Sequence, residues 1–339
     1  MNQLLDSLPL LAAPFVACLM ITVLHGYVGL HVIKRGVIFV DLALAQAAAL
    51  GAAVALFISP YVGGEDHHAH AEAAPAMVTE AQLADQLAAG ADAPVTEDAG
   101  RRTIPEHEHP ELHEEQLEHA TLAYGMSLAF ALLAAVVLAF SRFSDERIPH
   151  EAIIGIIFVV CAALSVLILS KAPHGHEKMA AMLVGSILFV RWSDVLVMAP
   201  LYLALGVFHV ALRGPFIRIS RGVAAAEAAG VRVRLWDCLF YGAFALLVTH
   251  SVSVAGVFVV FSYLIIPPAC ATLFVNGFGR QMVLAWLIGV VTTVVGLVLS
   301  AVGDLPTGPS LVSCFGAALV ISVVLRSVFK KRIQPTGVV

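Results

Sequence analysis

Nine long apolar runs divide this chain, and they constrain its fold more than any other feature. Crossing the hydrocarbon core of a bilayer takes about 20 mostly apolar residues in a helix. Candidate spans lie near residues 8–30, 36–59, 121–140, 151–170, 194–212, 236–252, 254–274, 281–301 and 310–328. Apolar residues make up 60% of the chain and charged residues 13%, a composition too apolar for a normal solvated surface. The sequence therefore predicts an integral membrane protein.

The apolar runs indicate helices, because they lack the alternation of apolar and polar residues that the strands of a membrane barrel show. The predicted fold class is an all-α integral membrane protein, a polytopic bundle of about nine transmembrane helices. Eight helices are the alternative, because residues 236–274 are almost continuously apolar and their division at Ser251–Ala255 rests on a weak local pattern.

The basic residues predict the orientation of the bundle. Under the nine-helix count, fourteen of the nineteen lysines and arginines fall in connections on one side of the membrane. The positive-inside rule makes that side cytoplasmic. The N-terminus is then outside, and the basic segment "KKR" at residues 330–332 is inside.

An acidic, histidine-rich insert interrupts the bundle. Residues 64–120 hold fourteen Asp or Glu residues against two arginines, although the whole chain has a net charge of only −5. Its composition of alanine, proline and acid, most marked over residues 71–100, predicts disorder. The resulting organisation is helices 1–2 over residues 1–60, the exterior insert over 61–120, helices 3–9 over 121–329 and a cytoplasmic tail over 330–339.

Seven of the fourteen histidines lie in this insert. They are His67, His68, His70, His107, His109, His113 and His119. Imidazole and carboxylate groups are preferred ligands of zinc and its first-row neighbours. Three interpretations stay open: a solvated low-complexity loop, weak capture of metal at many sites, or one defined metal site. No H-E-x-x-H motif is present, so a zinc protease is not indicated.

Polar side chains inside the spans are the candidates for a metal pathway, since ionisable groups in hydrocarbon are costly and usually face an interior or a water-filled path. These candidates are Asp41, Gln46, His25 and His250. The small residues around Asp41 and Gln46 also predict close helix approach. The alternatives are an ion pair of Asp41 with Lys34 or Arg35, and neutral imidazoles hydrogen-bonded to nearby backbone.

The longest cytoplasmic connection, residues 213–237, predicts a docking element. No phosphate-binding G-x-x-x-x-G-K-[ST] motif occurs in the chain, so energy must come from a partner or an ion gradient. A short helix of small residues, Ala224–Ala229, ends at Gly230. Such a smooth helix fits a groove on another protein, with an interfacial helix on anionic lipid as the alternative. We place this element near residues 221–231, with Ala225, Glu227 and Gly230 as its candidate contact residues.

Three stretches carry a family resemblance: "GYVGLHVIKRGVIFVDLALAQAAALG" (26–51), "GVFVVFSYLIIPPACATLF" (256–274) and "SAVGDLPTGPSLV" (300–312). With them the chain resembles the permease subunits of bacterial ABC importers for zinc, manganese and iron. The resemblance implies a type II ABC importer-like fold in the bacterial cytoplasmic (inner) membrane. It also implies a homodimer of this chain, a cytoplasmic ATP-binding subunit dimer, a periplasmic metal-binding protein, and coupling to the ATPase through Ala225, Glu227 and Gly230.

One departure from the family pattern falls on the second helix. The family carries an aspartate there and, four residues later, a histidine, and both line the metal path. The matching positions in this chain are Leu42 and Gln46, and Asp41 is displaced by one residue. One residue turns a helix by about 100°, so Asp41 is predicted to face a different direction from the family's aspartate.

The resulting functional prediction is the membrane-spanning permease subunit of an ATP-driven importer of divalent metal. Zinc is the first expectation, with manganese or iron next. The chain itself is expected to be no enzyme, to hold no tightly bound cofactor, and to contact membrane lipid but no nucleic acid. The alternative is a gradient-driven secondary metal transporter with a metal-capturing loop, which needs acid and histidine pairs inside its spans.

Overall fold

A computed structural model describes residues 2–62, 110–141, 149–172, 175–185 and 187–333. Helices make up almost all of these ranges. They are α1 (Asn2–Arg35), α2 (Val40–Val62), α3 (Pro110–Phe140), α4 (His150–Leu169), α5 (Gly175–Val184), α6 (Trp192–Ala211), α7 (Arg213–Arg221), α8 (Val223–Ala228), α9 (Val233–Ala255), α10 (Val257–Phe274), α11 (Phe278–Gly303) and α12 (Thr307–Ile333). One 3₁₀ turn, Ile187–Phe189, precedes α6.

Nine helices in the described part of the chain are long and apolar enough to cross a bilayer: α1, α2, α3, α4, α6, α9, α10, α11 and α12. The predicted count of nine is therefore confirmed, and the alternative of eight is wrong. The apolar run 236–274 divides at Gly256, one residue beyond the predicted break. Gly256 adopts φ 81° and ψ 158°, a conformation essentially restricted to glycine.

The centre of the bundle is formed by α1, α2, α9 and α10, whose spans are mostly buried, whereas α4, α6 and α12 expose apolar side chains outwards. Leu167 on α4 and Leu196 and Leu203 on α6 are between 63% and 72% exposed. Exposed leucines are expected where the surrounding solvent is hydrocarbon, because lipid tails are as apolar as they are. Helix α1 packs on α10, α11, α6 and α7.

Small residues on α2 allow its neighbour to approach closely, as predicted. A β-carbon added to Gly51 would overlap the carbonyl group of Met126 and lie 2.8 Å from the α-carbon of Ser127, both on α3. Backbone contact of this kind is the usual way that membrane helices pack through glycine and alanine. It places α2 directly against the backbone of α3 at Gly51.

The connection between α6 and α9 contains two short helices, α7 and α8, where a single helix near residues 221–231 was predicted. Helix α8 ends near the predicted position, since Ala229 terminates it and Gly230 follows at φ 76°. Helix α7 precedes it and buries Phe216, Ile219 and Ser220. The spacing of these three side chains is that of one helical face.

Residue contacts divide the chain into two units, Met1–Phe57 with Leu122–Val339, and Ile58–Thr121. The first unit holds the helical bundle. Within the second unit, the described residues are the last turn of α2 and the first turns of α3. The predicted disorder over residues 71–100 lies outside the described residues.

Candidate functional site

Asp41 lies in the first turn of α2 and is almost completely buried, with 1% of its surface exposed. Neither of its carboxylate oxygens has a hydrogen-bond partner within the described residues. The alternative of an ion pair with Lys34 or Arg35 is therefore not what the structure contains. A buried carboxylate without a partner is costly, which is why it is a strong candidate for a cation-binding group.

Glu151 secures the turn in front of Asp41. The backbone N–H of Phe39 donates to Glu151 Oε1 over 3.1 Å, across 112 residues of sequence. Glu151 lies in the first turn of α4. This contact satisfies a backbone donor at the beginning of α2, which has no partner inside the helix, and it leaves the carboxylate of Asp41 unused.

The other candidates for the pathway are buried at different places. Gln46 is 8% exposed and follows Asp41 by five residues. Five residues rotate a helix by about 140° beyond one full turn, so the two side chains leave α2 in different directions. His25 on α1 is fully buried, and its Nδ1 donates to Ile21 O over 3.1 Å. His250, near the end of α9, packs against Tyr202 with ring centroids 5.9 Å apart.

These side chains do not form a metal centre within a single chain. Among the described residues, no group of three or more His, Cys, Asp or Glu side chains is placed to hold one metal ion. The hydrogen bond of His25 to Ile21 O matches the alternative interpretation of a neutral imidazole bonded to backbone. The assignment of Asp41, Gln46, His25 and His250 to a pathway stays a prediction.

Helix α8 offers an exposed surface of small side chains. Ala225, Glu227 and Gly230 are all exposed, whereas Ala226 is 2% exposed and packs with Ile219 and Val233. One face of α8 is thus fixed to α7 and to the beginning of α9. The opposite face is smooth and unobstructed, as docking into a groove requires.

A buried polar junction connects α1, α7 and α9 just behind this surface. Arg35 Nη1 donates to Asp237 Oδ1 over 2.7 Å, and the two side chains are 0% and 1% exposed. Arg35 Nε also donates to Ser220 Oγ over 3.1 Å. The guanidinium carbon lies 4.0 Å from the centroid of the Phe240 ring, a cation–π geometry.

Ser220 uses the full hydrogen-bonding capacity of its hydroxyl. Its Oγ donates to Phe216 O over 2.9 Å and lies 2.7 Å from His31 Nδ1. The hydroxyl has one proton, which it donates to Phe216 O, and two acceptor positions. One acceptor position takes the N–H of Arg35. His31 Nδ1 therefore donates to the other. The junction therefore joins α1, α7 and α9 through buried hydrogen bonds.

A comparison with known protein families places this fold. The model of the ABC 3 transport family matches residues 118–326, well over half of the chain. The chain belongs to the ABC 3 transport family. The resemblance inferred from the sequence is thereby confirmed, and the junction behind α8 lies within the matched region except for the residues on α1.

Several bacterial membrane proteins of metal transport systems are similar to the chain over part of their length. The manganese transport system membrane protein MntC of Listeria innocua is 28% identical over 187 residues, which cover 54% of this chain and 65% of MntC. The chelated iron transport system membrane protein YfeC of Yersinia pestis is 26% identical over 198 residues, which cover 56% and 67%. The chain thus aligns with less than two thirds of the length of MntC.

A solved structure supports the fold of this ABC 3 family member over nearly its whole length. PsaBC from Streptococcus pneumoniae in complex with Fab matches 95% of this chain and 94% of that chain, with a TM-score of 0.65 and 18% sequence identity. At this identity the similarity shows the fold alone. The predicted all-α, polytopic importer-like fold is confirmed.

The structure places two of the seven insert histidines. His113 and His119 lie on α3, and His67, His68, His70, His107 and His109 lie outside the described residues. The metal-capture role of all seven stays a prediction for this member of the ABC 3 transport family.

Sequence reasoning missed the junction of Arg35, Ser220 and Asp237. It considered Arg35 as a basic residue that indicates orientation and as an alternative partner of Asp41, and it assigned no role to the other two. A local signal was present for α7, because Phe216, Ile219 and Ser220 follow helical spacing. Nothing local signals the ion pair, whose members are 202 residues apart.

Proposed function

We propose that this chain is the membrane-spanning permease subunit of an ATP-driven importer of a divalent transition metal. Two copies of it form the translocation path, a cytoplasmic dimer of ATP-binding subunits supplies the energy, and a periplasmic metal-binding protein delivers the ion. The chain performs no covalent chemistry and resides in the bacterial cytoplasmic membrane, with its N-terminus outside and its C-terminus inside.

The observation that carries this proposal is the buried carboxylate of Asp41, which has no partner in the described part of this ABC 3 transport family bundle. An anionic group in a span needs a compensating charge, and a passing cation supplies one. In a symmetric dimer each half-site of α2 is repeated across the two-fold axis. Asp41 and Gln46 face different directions on α2, so each copy offers them as two separate, weak oxygen donors, which hold an ion loosely enough to pass it on.

The donor atoms of α2 favour manganese as the transported ion. Carboxylate and amide carbonyl oxygens suit harder ions such as manganese, whereas imidazole and thiolate suit zinc. The expectation of zinc rests on the histidines of the insert, most of which lie outside the described residues. The functions by which the relatives MntC and YfeC are named, manganese and chelated iron transport, support the harder ions as well.

A gradient-driven secondary transporter is the competing function. It requires several acidic and histidine side chains paired inside the spans, whereas the described spans bring no three such ligands together. The exposed small-residue surface of α8 has no use in that mechanism. In an ATP-driven importer it is the contact through which the ATP-binding subunit acts on the bundle.

Replacing Ala225 by tryptophan tests the docking role of α8. Because Ala225 is exposed, the variant is expected to fold normally, while the indole fills the surface on which the partner docks. We expect ATP-driven uptake to fall at least about tenfold. This corresponds to a loss of only about 1.4 kcal/mol in the free energy of docking. Uptake of manganese, zinc and iron is measured separately in proteoliposomes that contain the complete importer.

The matched control is Ala301→Trp, which places the same side chain at an exposed position near the C-terminal end of α11, away from α8 in the sequence. This control is expected to transport at the wild-type rate. Equal uptake by the two variants would contradict a docking role for α8, and faster uptake of zinc than of manganese would contradict the choice of metal.

Removing residues 64–109 tests metal capture by the insert and leaves α3 intact. A strongly charged exterior segment raises the local concentration of counter-ions, so its removal is expected to raise the external metal concentration for half-maximal uptake by roughly tenfold. The maximal rate is expected to stay unchanged. A glycine-serine segment of the same length is the control, and an unchanged half-maximal concentration would show that residues 64–109 capture no metal.

A further inference from the structure

The polar junction behind α8 joins the proposed docking surface to the first membrane span. Ile219 and Ser220 are neighbours on α7, yet they contact different partners. Ile219 packs with Ala226 of α8 and Val233 of α9, whereas Ser220 contacts His31 and Arg35 of α1. Helix α7 therefore contacts both α8 and the end of α1.

The contacts of this junction favour movement of α7 and α1 as one body. Buried hydrogen bonds in an apolar interior are strong, and leaving one unmade costs more than the bond itself contributes. Sliding α7 along α1 would break the bonds of Ser220 to His31 and Arg35 at the same time. Rings on three helices also enclose His31, with Tyr27, Phe216 and Phe278 at centroid distances of 4.8 to 6.5 Å.

The ion pair extends the junction to a third helix. Arg35 contacts Ser220 on α7 and Asp237 and Phe240 on α9 at the same time. A buried ion pair contributes little net stability compared with apolar packing, so stability alone is a weak reason for placing one here. The fixed geometry around Arg35 instead holds the ends of α1, α7 and α9 in one arrangement.

We propose that Ser220 is a positioning residue that ties the docking helix α8, through α7, to the first membrane span, so that displacement of α8 by the ATP-hydrolysing partner moves α1. This inference rests on the proposed function, because it takes α8 as the surface on which the partner acts. The junction transmits movement and contacts no transported ion. Its loss separates ATP hydrolysis from transport.

The experiment compares Ser220→Ala with Ser165→Ala in the complete importer in proteoliposomes, with Mn²⁺ as the probe. Both serines are 5% exposed, and each donates to the carbonyl four residues earlier, at 2.9 and 2.8 Å. Of these two serines, only Ser220 is also hydrogen-bonded to another helix in the described part of the chain. The two substitutions therefore remove the same atoms and the same intrahelical bond, and they differ in the contact to α1.

We expect Ser220→Ala to raise the number of ATP molecules hydrolysed per manganese ion imported by about three- to tenfold, the effect of one or two lost hydrogen bonds. Ser165→Ala is expected to keep the wild-type ratio. Without the bonds of Ser220 to α1, α7 can rotate against α1, so less manganese is imported. ATP hydrolysis continues, because the nucleotide site on the partner is unchanged. Equal ratios for the two variants would overturn the proposal.

A second variant covers the case in which Ser220→Ala does not fold. Arg35→Lys keeps the positive charge beside Asp237 but lacks the planar fork that reaches Ser220 and Asp237 together. It is expected to raise the ratio in the same direction, and a wild-type ratio would overturn the proposal. Failure of the wild-type complex to import manganese with ATP would instead overturn the proposed function, and this inference with it.

Discussion

Asp41→Asn is expected to stop metal import and to leave the folded bundle at least as stable as the wild type. The carboxylate is buried and has no hydrogen-bond partner among the residues that the structure describes. A neutral amide of the same shape costs less to bury than a charge. The charge of the Asp41 carboxylate also attracts the cation. Even the loss of a residue that only hydrogen-bonds to a metal ligand lowers metal affinity about 10- to 100-fold.

We therefore expect uptake at limiting manganese to fall at least about tenfold while the melting temperature in detergent stays equal or rises. Asp304→Asn is the matched control, because Asp304 is exposed in a left-handed turn that asparagine also tolerates. It should change neither quantity. A variant of Asp41 that unfolds at lower temperature and still imports metal would show that the carboxylate has a structural role only.

Gly256→Ala is expected to have the largest effect on folding. Gly256 separates α9 from α10 at φ 81°, where alanine costs about 1–3 kcal/mol. An added β-carbon would also lie 2.6 Å from the carbonyl carbon of Val184 and 2.8 Å from the α-carbon of Gly185. Both are backbone atoms that cannot rotate away, so overpacking adds at least another 1–3 kcal/mol or so.

Gly277→Ala separates these two contributions. Gly277 has a similar backbone, with φ 93° and ψ 132°, but a β-carbon there meets nothing within 4 Å. Thermal unfolding of the purified proteins should show a small decrease in melting temperature for Gly277→Ala and a much larger one for Gly256→Ala. Equal decreases would mean that the contact between Gly256 and Gly185 is looser than the structure has it.

The number and type of helices could be predicted from the sequence, because the bilayer itself imposes a length and an apolar composition on every span. The end of α8 at Gly230 was predictable for a similar reason, since a glycine after a run of alanine is a local stop signal. The division at Gly256 was located to within one residue. In each case a signal within about 20 residues of sequence determines the result.

The features that depend on distant contacts could not be predicted in this way. Asp41 could be recognised as a polar residue inside a span, but its lack of a partner among the described residues depends on where Arg35 points. Arg35 pairs with Asp237 because α1 ends beside the beginning of α9. Helix α7 was missed for a different reason: three arginines, a glycine and a proline among its nine residues resemble a polar loop more than a helix.

The central claim is that this chain is a passive gate that a nucleotide-hydrolysing partner opens. The most direct test measures manganese accumulation in proteoliposomes containing either the chain alone under an imposed ion gradient, or the complete importer with ATP. We expect accumulation above the external concentration only in the complete importer with ATP. Sustained accumulation by the chain alone would contradict the account.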